Sequence, residues 1–94
     1  MKFDWDAEKA KANQVKHSVN FEDAARVFLD PLRIETIDDR EGYGEDRWKT
    51  IGWVDPVLLA VVYAVRGKGS DVIRLISARK ADAYERKQYR EFHA

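Results

Sequence analysis

The chain has no cysteine, one methionine, two prolines and five glycines among its 94 residues. The absence of thiols excludes disulfides and thiolate metal sites, and it fits a reducing compartment. No segment approaches the ~20 apolar residues of a membrane-spanning helix. The longest apolar run, Val57 to Val65, has the length of a strand. The opening residues Met1-Lys2-Phe3-Asp4-Trp5-Asp6 lack the hydrophobic region of a secretory signal, so a cytoplasmic location is expected. Repeats, low-complexity tracts and linkers are missing too, and the length suits one domain spanning 1–94. What is present, 45% hydrophobic and 36% charged residues, is the composition of a folded domain.

An excess of either charge is also lacking, but the zero balance conceals a segregation. Residues 1–46 hold 7 Lys and Arg against 12 Asp and Glu, whereas residues 47–94 hold 10 against 5. The basic half could face an anionic partner and the acidic half a basic one, or the two could neutralise each other within the fold.

Local patterns predict the elements. Phe3 and Trp5 alternate with polar residues, as in a short strand. Asp6 is a suitable N-cap for a helix over about 7–16, and Asn20 for a second over 21–29, which Asp30-Pro31 ends. Strands are expected over 33–39, 48–54, 57–66 and 72–77, with 57–66 central because it is apolar almost throughout. Residues 40–46 form a polar, glycine-containing loop, Asp55-Pro56 a tight turn and Gly67-Lys68-Gly69-Ser70 another. A helix over 81–93 would bury a stripe of Ala81, Tyr84, Gln88 and Phe92. The order is a short strand, two helices, an antiparallel sheet of about four strands and a C-terminal helix, an α+β domain.

The segment Val72-Ile73-Arg74-Leu75-Ile76-Ser77-Ala78-Arg79-Lys80 places one arginine inside a β-branched run and ends in more cations. An ionised guanidinium at position 74 requires a partner, either a carboxylate or a phosphate. Arg74 and Arg79 have opposite parity, so they share a face only if the strand bulges or ends between them.

Three stretches together resemble BrnT-type toxins. The first is Phe3-x-Trp5-Asp6, Lys9, Asn13, Lys16-His17-x-Val19-x-Phe21 and Val27-Phe28-x-Asp30-Pro31. The second is Glu45-x-Arg47-Trp48-x-x-Ile51-Gly52. The third is Ile73-Arg74-x-Ile76-Ser77-Ala78-Arg79-Lys80-Ala81 with Glu85-Arg86 and Tyr89. The resemblance implies a RelE-like fold and the toxin half of a type II toxin–antitoxin pair, a ribonuclease that arrests translation. It also implies a ribbon-helix-helix antitoxin and operator DNA bound only through the complex, in which a toxin dimer is left open. The chain departs from the family pattern at Ser18, where Gly is common, at Trp48, where Tyr is frequent, and at Ala7, where Pro is frequent.

Cleavage of RNA by its own 2′-OH needs no metal or other cofactor. It needs a base, an acid and charge stabilisation for the phosphorane. His17 is the expected acid or base, with a helix C-cap as its structural alternative. Arg74, Arg79 and Arg47 are expected to hold phosphate, or else to pair with Glu85, Asp82 or a carboxylate of the first half. Glu45 is a candidate second acid or base. Lys16, Lys80, Arg86 and Tyr84 are candidates for RNA binding, against readings as solvated helix faces or packing residues. Trp5, Trp48 and Trp53 are expected in core or interface, and His93 is expected to fray. Asp38, Asp39, Glu41, Glu45 and Asp46 read as solvated loop carboxylates rather than a metal site. An alternative function is a protein-binding module that acts in the repressor complex with catalysis weak or lost.

Overall fold

Two side chains start the first helices of the computed structural model, which describes residues 1–38 and 47–93. Strand β1 (Lys2–Asp4) leads to Asp6, whose carboxylate accepts the Glu8 and Lys9 amides at 2.8 and 3.0 Å and caps α1 (Ala7–His17). Asn20 accepts the Asp23 amide at 2.7 Å and caps α2 (Phe21–Ala25). The expected helix over 21–29 divides here, because Arg26–Leu29 tighten into a 3₁₀ turn. That turn carries Val27 onto the sheet at Gly52, where an added Cβ would stand 2.5 Å from Val27 Cγ2. Gly52 is therefore the gap that admits the turn.

The remaining elements are β2 (Ile34–Ile37), β3 (Arg47–Val54), β4 (Val57–Arg66), β5 (Val72–Lys80) and α3 (Ala83–Phe92). They build an α+β domain with a five-stranded sheet of order β1-β5-β4-β3-β2. The apolar β4 is central, as its composition predicts. The sheet has one strand more than the expected antiparallel four, since β1 joins β5 in parallel, Phe3 opposite Ile73. A partner separated by most of the chain leaves no local signal. β5 also runs past Ser77 to Lys80, where Ala78, Arg79 and Lys80 pair with Val61, Ala60 and Leu59 of β4 and the Asn13 amide of α1 closes the free edge at Ala78. Asn13 Oδ1 accepts the Ala78 N–H at 3.0 Å, and its Nδ2 donates to the Ala78 and Val19 carbonyls at 2.8 and 2.9 Å.

Alternation along β4 separates two layers. Leu59, Val61 and Tyr63 form one core with Phe21, Ala24 and Val27 of the helical side and Leu75 and Ala78 of β5. Ala60, Val62 and Ala64 point to the opposite face, where α3 docks against β3. The α3 stripe differs from expectation. Ala81 and Glu85 are buried and Gln88 and Tyr89 half-buried, while Tyr84 and Phe92 are 69% and 71% exposed. Tyr89 donates its hydroxyl to Asp30 Oδ2 at 2.6 Å, and His93 is held by the Leu32 carbonyl rather than frayed. Trp5 packs edge-on against Phe21 and Trp48 lies against the core, but Trp53 is largely exposed.

Candidate functional site

The site is set by one irregularity. In the β4–β5 ladder Ser77 faces Val62 and Leu75 faces Tyr63, so Ile76 is an extra residue in β5. This bulge reverses the parity beyond it. Arg74 lies opposite Ala64 and Arg79 opposite Ala60, two positions of equal parity on β4, so both arginines belong to the same face.

Three rungs cross that face. Arg47, Ala64, Arg74 and Asp4 align on the first. Thr36, Lys49, Val62 and Ser77 align on the second, and Ile34, Ile51, Ala60 and Arg79 on the third. Strands stand about 4.8 Å apart, so the backbones of β3 and β5 are roughly 10 Å apart across the small side chains of β4, and long side chains reach over that gap from both sides. An open cavity of about 250 Å³ occupies this gap, lined by Thr36, Asp38, Lys49, Ala60, Val62, Ser77 and Arg79 among others.

Arg79, Lys49 and Arg74 have carboxylate partners. Arg79 makes a two-pronged pair with Glu85, Nη1 to Oε1 at 2.6 Å and Nη2 to Oε2 at 3.0 Å. Lys49 Nζ donates to the same Glu85 Oε2 at 2.8 Å. Glu85 is only 1% exposed and sits at the third position of α3. Its Oε1 accepts the Asp82 amide at 2.9 Å, and Asp82 Oδ1 accepts the Glu85 amide at 2.8 Å, a reciprocal cap. Burial alone would raise the Glu85 carboxyl. The hydrogen bonds from Arg79 and Lys49 outweigh it and bring the group to about 2. Arg74 is held more loosely, with Nη1 3.3 Å from Asp4 Oδ2 and both side chains partly in solvent. An exposed pair of that kind contributes little to stability, so an anion of better geometry can replace it.

Arg47, Arg74 and Arg79 thus stand on one face. The other expected residues do not join them. α1 runs along the free edge of β5 and His17, at its C-terminal end, is not among the residues that line the cavity, while Lys16 is exposed on the same helix. Lys80 follows Arg79 to the core side and lines a separate hollow with Ser18, Asp23 and Arg26. Arg86 donates to the Ala81 carbonyl at 2.8 Å, and Tyr84 points into solvent from α3. Glu45, Asp39, Glu41 and Asp46 lie outside the described residues. Among the described residues no group of three or more His, Cys, Asp and Glu is arranged to hold a metal ion. Sequence reasoning missed Lys49 and Ser77 and gave Glu85 only as a partner for the arginines. Lys49 was legible two residues beyond Arg47 on a strand, and Glu85 in the Asp82-x-x-Glu85 spacing of a helix cap.

Comparison with known proteins adds a family. The model of the family described as ribonuclease toxin, BrnT, of type II toxin–antitoxin system matches residues 5–85. The crystal structure of the Brucella abortus ribonuclease toxin BrnT is 28% identical, with a TM-score of 0.66. The alignment covers 87% of this chain and 97% of that one. No curated protein sequence matches the chain.

Proposed function

This chain belongs to the BrnT family of ribonuclease toxins of type II toxin–antitoxin systems, and we propose that it is itself an endoribonuclease that cleaves RNA and arrests translation. The observation that carries this reading is the bulge at Ile76, which brings Arg74 and Arg79 to the face that also bears Arg47 and Lys49. A phosphodiester laid across the small side chains of β4 would meet cations from both sides. The ribose 2′-OH attacks the adjacent phosphorus, the bond to the 5′-oxygen breaks, and a 2′,3′-cyclic phosphate remains. Fixed guanidinium and ammonium groups stabilise the charge gathering on the phosphorane oxygens without reorganising as it forms. Arg74 exchanges Asp4 for phosphate, while Arg79 and Lys49 remain anchored. The reaction is metal-independent. Glu45, in the segment between β2 and β3, remains a candidate acid or base, whereas His17 does not line the cavity and is given no role in this reading. Arg86 and Tyr84 on α3 are left to contact RNA beyond it.

The partner of a type II toxin is its antitoxin. A ribbon-helix-helix protein that covers the cationic face would block RNA and would carry the pair to operator DNA, in the cytoplasm where both nucleic acids are met. One observation favours the alternative of a catalytically weak binding module: Glu85 already neutralises part of the charge of Arg79 and Lys49.

Inducible expression of the chain alone separates the readings. Growth arrest with loss of intact RNA supports the enzyme, and unimpaired growth with retained antitoxin binding supports the module. Purified protein should cleave RNA equally with and without EDTA. Arg79→Ala should lower cleavage by about 10²–10³-fold and keep antitoxin binding, Glu45→Gln should reduce cleavage, and His17→Ala should match the parent. Equal cleavage by Arg79→Ala and the parent refutes the assignment.

A further inference from the structure

Glu85 does more than dock a helix. A capping-box glutamate ordinarily reaches back to one backbone amide and otherwise faces solvent. Glu85 is buried, and its two oxygens accept four hydrogen bonds. Three come from cations on β3 and β5, strands that are not neighbours because β4 lies between them. The carboxylate therefore ties β3 to β5 across the intervening strand, and the two side chains it holds both line the open cavity. Lysine and arginine each lose much rotamer freedom when fixed, and a planar fork fixes the orientation of a guanidinium as well as its position. A bridge of this kind sets the distance and the angle between two charges before any ligand arrives.

We infer that Glu85 is the positioning residue of the site, holding the Arg79 guanidinium and the Lys49 ammonium as one preorganised pair for the scissile phosphate. The inference rests on the ribonuclease reading. Misplacing a fixed charge by an ångström costs on the order of 10²-fold in rate, and residues that act as a unit lose activity non-additively.

The test measures kcat and KM on a fluorophore-labelled mixed-sequence RNA oligonucleotide, with folding followed by circular dichroism. Glu85→Gln should lower kcat by about 10²-fold with a smaller change in KM. Tyr89→Phe removes the Asp30 bond, another attachment of α3 that touches neither cation. It should lower the melting temperature and leave kcat within about twofold. In the Arg79→Ala background, Glu85→Gln should cost less than about threefold more, because the pair it positions is already broken and Lys49 alone cannot act as that unit. A parent that cleaves while Glu85→Gln cleaves equally overturns the positioning role alone, and so do losses that multiply in the double variant. A parent that cleaves no RNA overturns the ribonuclease reading and the positioning role with it. Should Glu85→Gln be unfolded at the assay temperature, Lys49→Ala, Arg79→Ala and their double variant decide. The double should lose no more than the worse single, and multiplying losses overturn the inference.

Discussion

Asn13→Ala tests how the strand that carries Arg79 is held. Asn13 is a buried polar side chain whose three hydrogen bonds all go to backbone groups, at 2.8 to 3.0 Å. Ala78 is fully buried, and both of its main-chain polar groups point away from β4 toward α1. Alanine at position 13 would leave the Ala78 N–H, the Ala78 carbonyl and the Val19 carbonyl without these partners. An orphaned buried group costs roughly 1–3 kcal/mol, and carbonyls recover part of that through a second lone pair or an entering water. The expected sum is about 3–5 kcal/mol, against a total stability of roughly 5–14 kcal/mol for a domain of this length. Urea unfolding followed by tryptophan fluorescence and circular dichroism reads it directly. With a slope of about 1–1.5 kcal/mol per molar, the midpoint should fall by roughly 2–5 M. Asn13→Asp keeps the acceptor for the Ala78 amide, but it loses both donors and buries a charge, so it should be no better than alanine. A midpoint shift below about 0.5 M for Asn13→Ala, at an unchanged slope, would refute the argument that this amide closes the β5 edge.

Other residues give sharper single expectations. The Glu85 carboxyl lies at about 2 against an ordinary 4.5, so its ion pairs contribute fully above the unfolded value and are lost as pH falls from about 4.5 toward 2. The difference is worth about 3 kcal/mol, and melting curves across that window should flatten in Glu85→Gln; an unchanged acid limb would exclude the pairing. Ser18 ends α1 in the left-handed region at φ 59°. Ser18→Gly should therefore raise stability by about 0.5–1 kcal/mol, the relief of the left-handed backbone exceeding the added freedom of the unfolded chain, and a lower melting temperature would contradict this. Gly52→Ala forces a methyl group onto Val27 Cγ2 at 2.5 Å and should cost on the order of 1–3 kcal/mol by calorimetry, whereas a neutral result would mean the 3₁₀ turn moves freely.

Why some of these residues were legible and others were not follows from the range of the forces involved. The caps at Asp6 and Asn20 act within three residues, so the sequence displays them, and β4 announces its central place by being apolar on both faces. The parallel pairing of β1 with β5 and the extra residue at Ile76 depend on register between distant segments. Parity showed only what a shared face for Arg74 and Arg79 would require, and the bulge meets that requirement. The error in α3 is the most instructive. A hydrophobic stripe nominates Tyr84 and Phe92 for burial, yet both are exposed, and Glu85 and Tyr89 turn inward. Two cations beneath the helix, Lys49 and Arg79, make a buried carboxylate cheaper than a buried ring there, because their own charges would otherwise be desolvated without compensation. The question of what partners the arginines of β5 therefore has different answers at its two ends. At Arg79 the carboxylate is part of the architecture and fixes the cation in place. At Arg74 the partner is an exposed Asp4 on a three-residue edge strand, a contact weak enough for a phosphate to displace, so it is at position 74 that ligand binding should first be felt.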